Sequence, residues 1–169
     1  MTEAERLEII NWLCENFHRM RVLPHTKRDY MCKADDETVP VAFWAVKKRL
    51  VEREGLEGFE QEPEFKDFIG CILPGGKIQK HRDPNDGDRI HTRFNCFLQI
   101  PSASFRTYYD GKVVDARERG YVICRSGLEP HWTDVNMDDS PRLSLSFGFL
   151  IPSKELERIY KNVTPSTDI

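Results

Sequence analysis

At Phe65 the hydrophobic period of the chain drops from about 3.6 residues to 2 and stays there until Pro152. The runs FKDFIGCIL (65–73), KIQKH (77–81), RFNCFLQI (93–100), SFRTYYD (104–110), KVVDA (112–116), RGYVICRS (119–126) and RLSLSFGFLI (142–151) are short and rich in β-branched or aromatic residues. Each is bounded by Gly, Pro, Asp or Ser, so each is expected to form a strand. Seven or eight strands at a spacing of roughly 8–12 residues fold as an antiparallel sandwich or barrel. Helical patterns come before this region. Thr2 and Glu5 form a capping box, and Leu7, Ile10, Leu13, Cys14 and Phe17 follow at helical spacing, which predicts an amphipathic helix over 3–19. A turn-rich stretch, with LPHTKRD and KADDETVP, separates it from a second helix. That helix starts at Pro40, stops at Gly55 and turns Phe43, Val46, Leu50 and Val51 to one side. After Pro152 a short helix SKELERIYKN is expected, then a frayed tail. The architecture is therefore α+β: residues 1–60 as helical support and 65–152 as the β core of a single domain, 1–169.

Bulk properties narrow the function classes. A net charge of −3 gives no general attraction to nucleic acid or to an anionic membrane surface. No apolar run approaches the ~20 residues that span a bilayer. The opening MTEAERLEII has neither the basic nor the apolar region of a secretion signal. The five cysteines are odd in number and lack CxxC spacing, so buried, reduced thiols in a cytoplasmic protein are the expectation. Nothing fixes an oligomeric state.

Chemistry concentrates in GGKIQKHRDPNDGDRIHTRFN (75–95) and GLEPHWTDVN (127–136). His81 and Asp83 stand two apart at an expected strand end, so both side chains leave the same face. His131 follows fifty residues later. Two histidines and one carboxylate on one face form a triad that leaves open positions on a metal such as Fe(II). Eleven residues beyond His131, Arg142 opens the last long strand, with Ser144 on the same face. Leu143, Leu145 and Phe147 alternate against Arg142, Ser144, Ser146 and Gly148, which makes the second face small and polar, as a pocket lining would be. An arginine fork plus a hydroxyl suits a carboxylate. Arg93 and Asn95, again two apart, are able to reach a second one.

The order His-x-Asp, distal His, then Arg-x-Ser resembles the Fe(II)/2-oxoglutarate-dependent oxygenases, whose core is a double-stranded β-helix, a cupin-like jelly roll. RFNCFLQIP followed by EPHWTDVNMDDSPRLSLSFGF looks most like the aspartyl/asparaginyl β-hydroxylase branch; the match covers roughly 68–152. The resemblance implies that His81, Asp83 and His131 hold iron, with no catalytic residue beyond them. It implies that Arg142 and Ser144 bind the distal carboxylate of 2-oxoglutarate, and that Arg93 and Asn95 lie near its other end. Two departures are visible: Asn95 stands where the branch has His, and Asp83 is present where the branch lacks an acidic ligand. The implied reaction is hydroxylation of an amino-acid side chain in a protein, a peptide or a free amino acid, with release of succinate and CO2 and with ascorbate as a candidate reductant. The alternatives are the same chemistry on an unrelated small molecule, or a cupin-like metal binder without oxygenase activity.

The remaining features are less specific. His18 suits a helix C-terminus and His25 a turn. DPNDGD (83–88) lacks the Gly and Glu of a calcium loop and reads as a polar loop, able to order on substrate binding. His91 is either a substrate contact or a surface residue, and Trp132 either a wall of the site or packing.

Overall fold

A computed structural model describes residues 1–23, 29–34, 39–102, 105–161 and 167–168; His25 and most of the tail lie outside them. The capping box forms as expected. The Glu5 amide donates to the Thr2 hydroxyl (3.3 Å), and the Glu5 carboxylate accepts from the Thr2 amide (2.9 Å). Helix α1 runs Glu3–Asn16 and ends in a 3-10 turn, Phe17–Arg19. Its buried residues are Ile9 and Leu13, whereas Leu7 is 45% exposed and Cys14 is exposed. Leu7, Ile9, Ile10, Trp12, Leu13 and Cys14 encircle the helix, so periodicity does not select a face. Contacts to α2 (Val41–Glu54) do so: Arg49 reaches the Glu5 carboxylate (2.7 Å), and the Ala42 amide donates to Glu8 (3.3 Å). Helix α2 follows its pattern closely. Phe43, Val46 and Leu50 are fully buried, and Gly55 ends the helix in the left-handed region at φ 61°.

Eleven strands are described, all paired antiparallel. They are β1 (Arg21–Val22), β2 (Asp29–Lys33), β3 (Glu60–Gln61), β4 (Asp67–Ile72), β5 (Arg89–Gln99), β6 (Thr107–Tyr109), β7 (Lys112–Val113), β8 (Gly120–Cys124), β9 (His131–Thr133), β10 (Arg142–Pro152) and β11 (Thr167–Asp168). The large sheet has the order β1-β2-β4-β10-β5-β8-β11, with β3 also on β10; the small sheet is β7-β6-β9. Helix α3 (Ser153–Lys161) leaves the end of β10. Two expectations change. The connection between the helices carries β1 and β2, a two-strand addition to the sheet edge. KIQKH is not a strand: it lies beside β9 through a single bridge, His81 to His131, with the Thr133 amide donating to the Ile78 carbonyl (3.2 Å) and the Ile78 amide turned to the Thr133 hydroxyl (2.9 Å) instead of a ladder partner.

The large sheet has two working faces. On one, Phe94, Cys96, Leu98, Tyr121, Ile123, Leu143, Leu145 and Phe147 join the α1–α2 residues in the main core. Phe43 of α2 stands edge-on to Phe147, with ring centroids 5.2 Å apart. On the other face, Phe97, Val122, Cys124 and Tyr109 form a smaller cluster beside a cavity of about 540 Å³. The alternation of β10 therefore works as read: its leucines and Phe147 enter the core, while Arg142, Ser144 and Ser146 line the cavity.

Gly148 continues the polar face of β10. A Cβ built there would lie 2.9 Å from the Arg93 guanidinium and 3.0 Å from the Lys66 carbonyl. Gly148→Ala is therefore expected to lower stability by about 1–3 kcal/mol in urea unfolding, the usual penalty of overpacking a filled site.

Candidate metal and carboxylate site

His81, Asp83 and His131 come together at the cavity, with one ligand atom from each lying within 4.8 Å of the others. The backbone does the placing. The His81 amide donates to the His131 carbonyl (3.2 Å) and the His131 amide donates back (2.9 Å), which brings the imidazole centroids to 4.1 Å. Each ring is then turned in the same way. His81 Nδ1 is 2.7 Å from the Gln79 carbonyl, and His131 Nδ1 is 3.2 Å from the Glu129 carbonyl. A carbonyl only accepts, so both Nδ1 atoms carry a proton and the two Nε2 atoms are the positions left for a metal.

Asp83 hangs from the other side. Its amide donates to the Ser126 carbonyl (2.9 Å), and the next turn is pinned by the Asn85 amide nitrogen on the Gly127 carbonyl (3.1 Å). Gly127 is needed there, since a Cβ would overlap the Asn85 side chain at 1.7 Å. Burial pushes the Asp83 carboxyl up, but His81, with Nε2 at 3.5 Å, and the charges of His91 and His131 outweigh it. The carboxyl is held well below its usual range and stays ionised. The hydrogen bond to Asp83 raises His81, whereas burial and the His81 charge lower His131. A hard carboxylate plus two neutral imidazoles is a donor set that fits Fe(II).

Across the cavity lies Arg142, only 5% exposed. Its guanidinium sits over Phe97 (5.0 Å) and Phe105 (5.8 Å) and has no hydrogen-bond or ion-pair partner among the described residues. Burial lowers its pKa, opposed by Tyr109 and Asp29. Ser144 lines the cavity beside it, and Gly70 leaves room for the hydroxyl, with an added Cβ only 3.3 Å from Oγ. A buried unpaired guanidinium next to a hydroxyl is a cradle awaiting a carboxylate.

Arg93, expected at the cosubstrate, is committed elsewhere. It also lines the cavity, but its guanidinium donates to the Glu62 carboxylate (2.5 Å) and the Lys66 carbonyl (2.9 Å). Glu62 also accepts from the amides of Phe65 and Lys66 (3.0 Å each), so the pair closes the turn into β4. Asn95 faces the cavity and donates to the Tyr109 hydroxyl (2.9 Å). His91, read as a substrate contact or a surface residue, is not at the surface and does not line the cavity. At 1% exposure it sits behind the site, with Nδ1 3.7 Å from Asp83 and Nε2 3.8 Å from Glu62. Trp132 does wall the cavity, stacked on Tyr108 with Lys80 over its ring at 4.7 Å. Residues 84–91 are not part of the lining.

Two further cavity residues were not among those the motifs singled out. Tyr109 is buried, which keeps its phenol protonated far above neutrality, and its ring stands 6.4 Å from His131. Asp29, on a strand that was not anticipated, is 4% exposed, and burial raises its carboxyl to about 7. Its alternation with Met31 along β2 was the available signal.

No protein-family model matches the chain, and neither does any curated protein. Solved structures do. A prolyl hydroxylase from Trichoplax adhaerens, in complex with a hypoxia-inducible-factor peptide fragment, superposes with a TM-score of 0.64 at 13% identity, over 94% of this chain and 83% of that one. A prolyl-4-hydroxylase from Pseudomonas putida gives 0.62 at 21% identity, over 89% and 88%. HygX from Streptomyces hygroscopicus, with nickel and 2-oxoglutarate bound, gives 0.58 at 13% identity, over 86% and 79%. At these identities the likeness is one of fold. None of the three is described as an aspartyl or asparaginyl hydroxylase.

Two outcomes follow from the buried charges. Arg93→Ala leaves Glu62 buried without its guanidinium partner, and is expected to cost about 3–5 kcal/mol in urea unfolding. Asp29 has a folded pKa of about 7 against an ordinary value of 3.8, so its favourable contribution is complete below pH 4 and is lost as pH rises through 7. Asp29→Asn is therefore expected to stabilise the ligand-free protein at pH 8 and to lose that advantage by pH 5.

Proposed function

We propose that this chain is an Fe(II)- and 2-oxoglutarate-dependent dioxygenase that hydroxylates an amino-acid side chain, free or within a peptide or protein. The observation that carries the reading is the buried, unpaired Arg142 guanidinium sharing one cavity with His81, Asp83 and His131. A metal binder without oxygenase chemistry has no use for a second, carboxylate-shaped site. Iron held by the two Nε2 atoms and the Asp83 carboxylate would supply dioxygen activation coupled to the decarboxylation of 2-oxoglutarate to succinate and CO2.

The residues then divide the work. Arg142 and Ser144 take the distal carboxylate of the cosubstrate. Tyr109 accepts from Asn95, so its hydroxyl proton is free to donate into the cavity. Phe65, Phe68 and Trp132 exclude water, which strengthens each charge-assisted contact inside. The Gln79 and Glu129 carbonyls keep both imidazoles in the ligating tautomer.

The cavity lies within the ~300–1,000 Å³ range of small-ligand sites, which favours an amino-acid-sized group as the reacting part. The structural neighbours include one in complex with a peptide fragment and one with hygromycin B, so the same chemistry on a small-molecule metabolite remains the second reading. The aspartyl/asparaginyl branch rests on the motifs alone, and Arg93, one of its markers, is engaged by Glu62. No described helix is long and apolar enough to cross a membrane, and the proposed setting is the cytoplasm, with ascorbate as a candidate reductant.

The test is an anaerobic titration with Fe(II) and 2-oxoglutarate, following the visible charge-transfer band of the chelate. The band is expected in the wild type. Arg142→Ala should need roughly 30-fold more cosubstrate or beyond, as for removal of one partner of a buried charge pair, and Asp83→Ala should fail to form the band. Iron bound with no band at millimolar cosubstrate would sink the oxygenase reading.

A further inference from the structure

We propose that Asp29 is the substrate-recognition carboxylate of this cavity and that the substrate carries a protonated nitrogen, an ammonium or a guanidinium, on an aliphatic stem. The inference rests on the oxygenase reading and extends it to the substrate class.

The sheet register places the residue. Asp29 pairs with Ile72 of β4, and Ile72 pairs with Arg142 of β10. Residues directly opposite in a ladder leave the sheet on the same side, so Asp29 and Arg142 face one cavity across a single intervening strand. Both line it, both are at least nine-tenths buried, and neither has an ion-pair partner among the described residues. The Tyr30 amide is the hydrogen-bond donor acting on the Asp29 carboxyl. The other carboxylates of the wall are accounted for. Asp83 faces His81, and Glu64 is exposed to solvent.

Once Arg142 has taken the cosubstrate carboxylate and the triad has taken the metal, Asp29 is a buried anion without a counter-ion. It also faces a cavity that must accept a dianionic cosubstrate. Burial of such a group is strongly unfavourable unless a cation meets it. The upward shift of its carboxyl in the ligand-free protein is the same penalty expressed as proton uptake. A substrate cation relieves both problems, pairing with Asp29 and offsetting the charge of the cosubstrate. Leu23, whose amide donates to the Asp29 carbonyl, and Ile72, its partner in the ladder, add apolar surface to the cavity beside it, which suits a methylene stem behind the charged head.

The experiment uses protein loaded with Fe(II) and 2-oxoglutarate under anaerobic conditions, with three probes measured by calorimetry. Two are cationic, Nα-acetyl-lysine methylamide and Nα-acetyl-arginine methylamide; the third, Nα-acetyl-norleucine methylamide, is neutral. The expected result is that one cationic probe binds about ten- to a hundred-fold more tightly than the norleucine compound, the size of one charge-assisted contact. Asp29→Asn should erase that preference while still forming the charge-transfer band. A wild type without preference, or a preference that survives in Asp29→Asn, overturns the inference while the band leaves the oxygenase reading standing. If the wild type forms no band, the oxygenase reading falls, and the same comparison on unloaded protein decides the cation site. An Asp29-dependent preference there upholds it, and its absence removes it.

Discussion

Two backbone hydrogen bonds between His81 and His131 hold the site together. Residues 77–83 have no ladder of their own, and β9 is only three residues long. Joined, they bring two imidazoles to a centroid separation of 4.1 Å, tilted 55° to one another, before any metal arrives, and each ring is locked by the carbonyl two residues before it. The third ligand is likewise held through its amide, on Ser126. All three candidate ligand positions are thus fixed by main chain, which tolerates changes in neighbouring side chains and places the donor atoms without metal. Preorganisation of this kind spares a metal the cost of ordering its own ligands.

The same sheet face carries two buried arginines with different occupations. Arg93 has Glu62 and the Lys66 carbonyl and is part of the fold. Arg142 has aromatic rings and, among the described residues, no ion-pair partner. What separates the paired guanidinium from the unpaired one here is the presence of a carboxylate thirty-one residues away in sequence, which spacing on a single strand does not reveal.

The same reasoning explains what was legible in the chain. His81, Asp83, Arg142 and Ser144 stood out because their relations are local, two residues apart on one run, and His131 because it opens the next ligand-bearing segment. The two faces of β10 and the buried side of α2 followed from periodicity for the same reason. The buried side of α1 did not, since apolar residues surround it and only the Glu5–Arg49 and Glu8–Ala42 contacts orient it. β1 and β2 were hidden in a charged connection, and with them Asp29, whose importance comes from a partner strand rather than from its neighbours in sequence. His91 stood open between a substrate contact and a surface residue, because its burial behind Asp83 is a tertiary fact.

Between Leu143 and Ser144 the pairing with β5 shifts by one residue, so Leu143 lies opposite Gln99 but Ser144 opposite Phe97, with Leu98 left over as a bulge. Below the bulge Phe97 comes under the Arg142 guanidinium, while Leu143, Leu145 and Phe147 stay in the core. Sliding β10 by one position would therefore expel its leucines to the cavity and drive the arginine into the oily layer against the helices. Misaligned copies of the strand are selected against by collapse itself. Quality control during folding and equipment of the cavity are consequently one event: a chain that reaches its native core has, by that fact, already turned its arginine into the cavity.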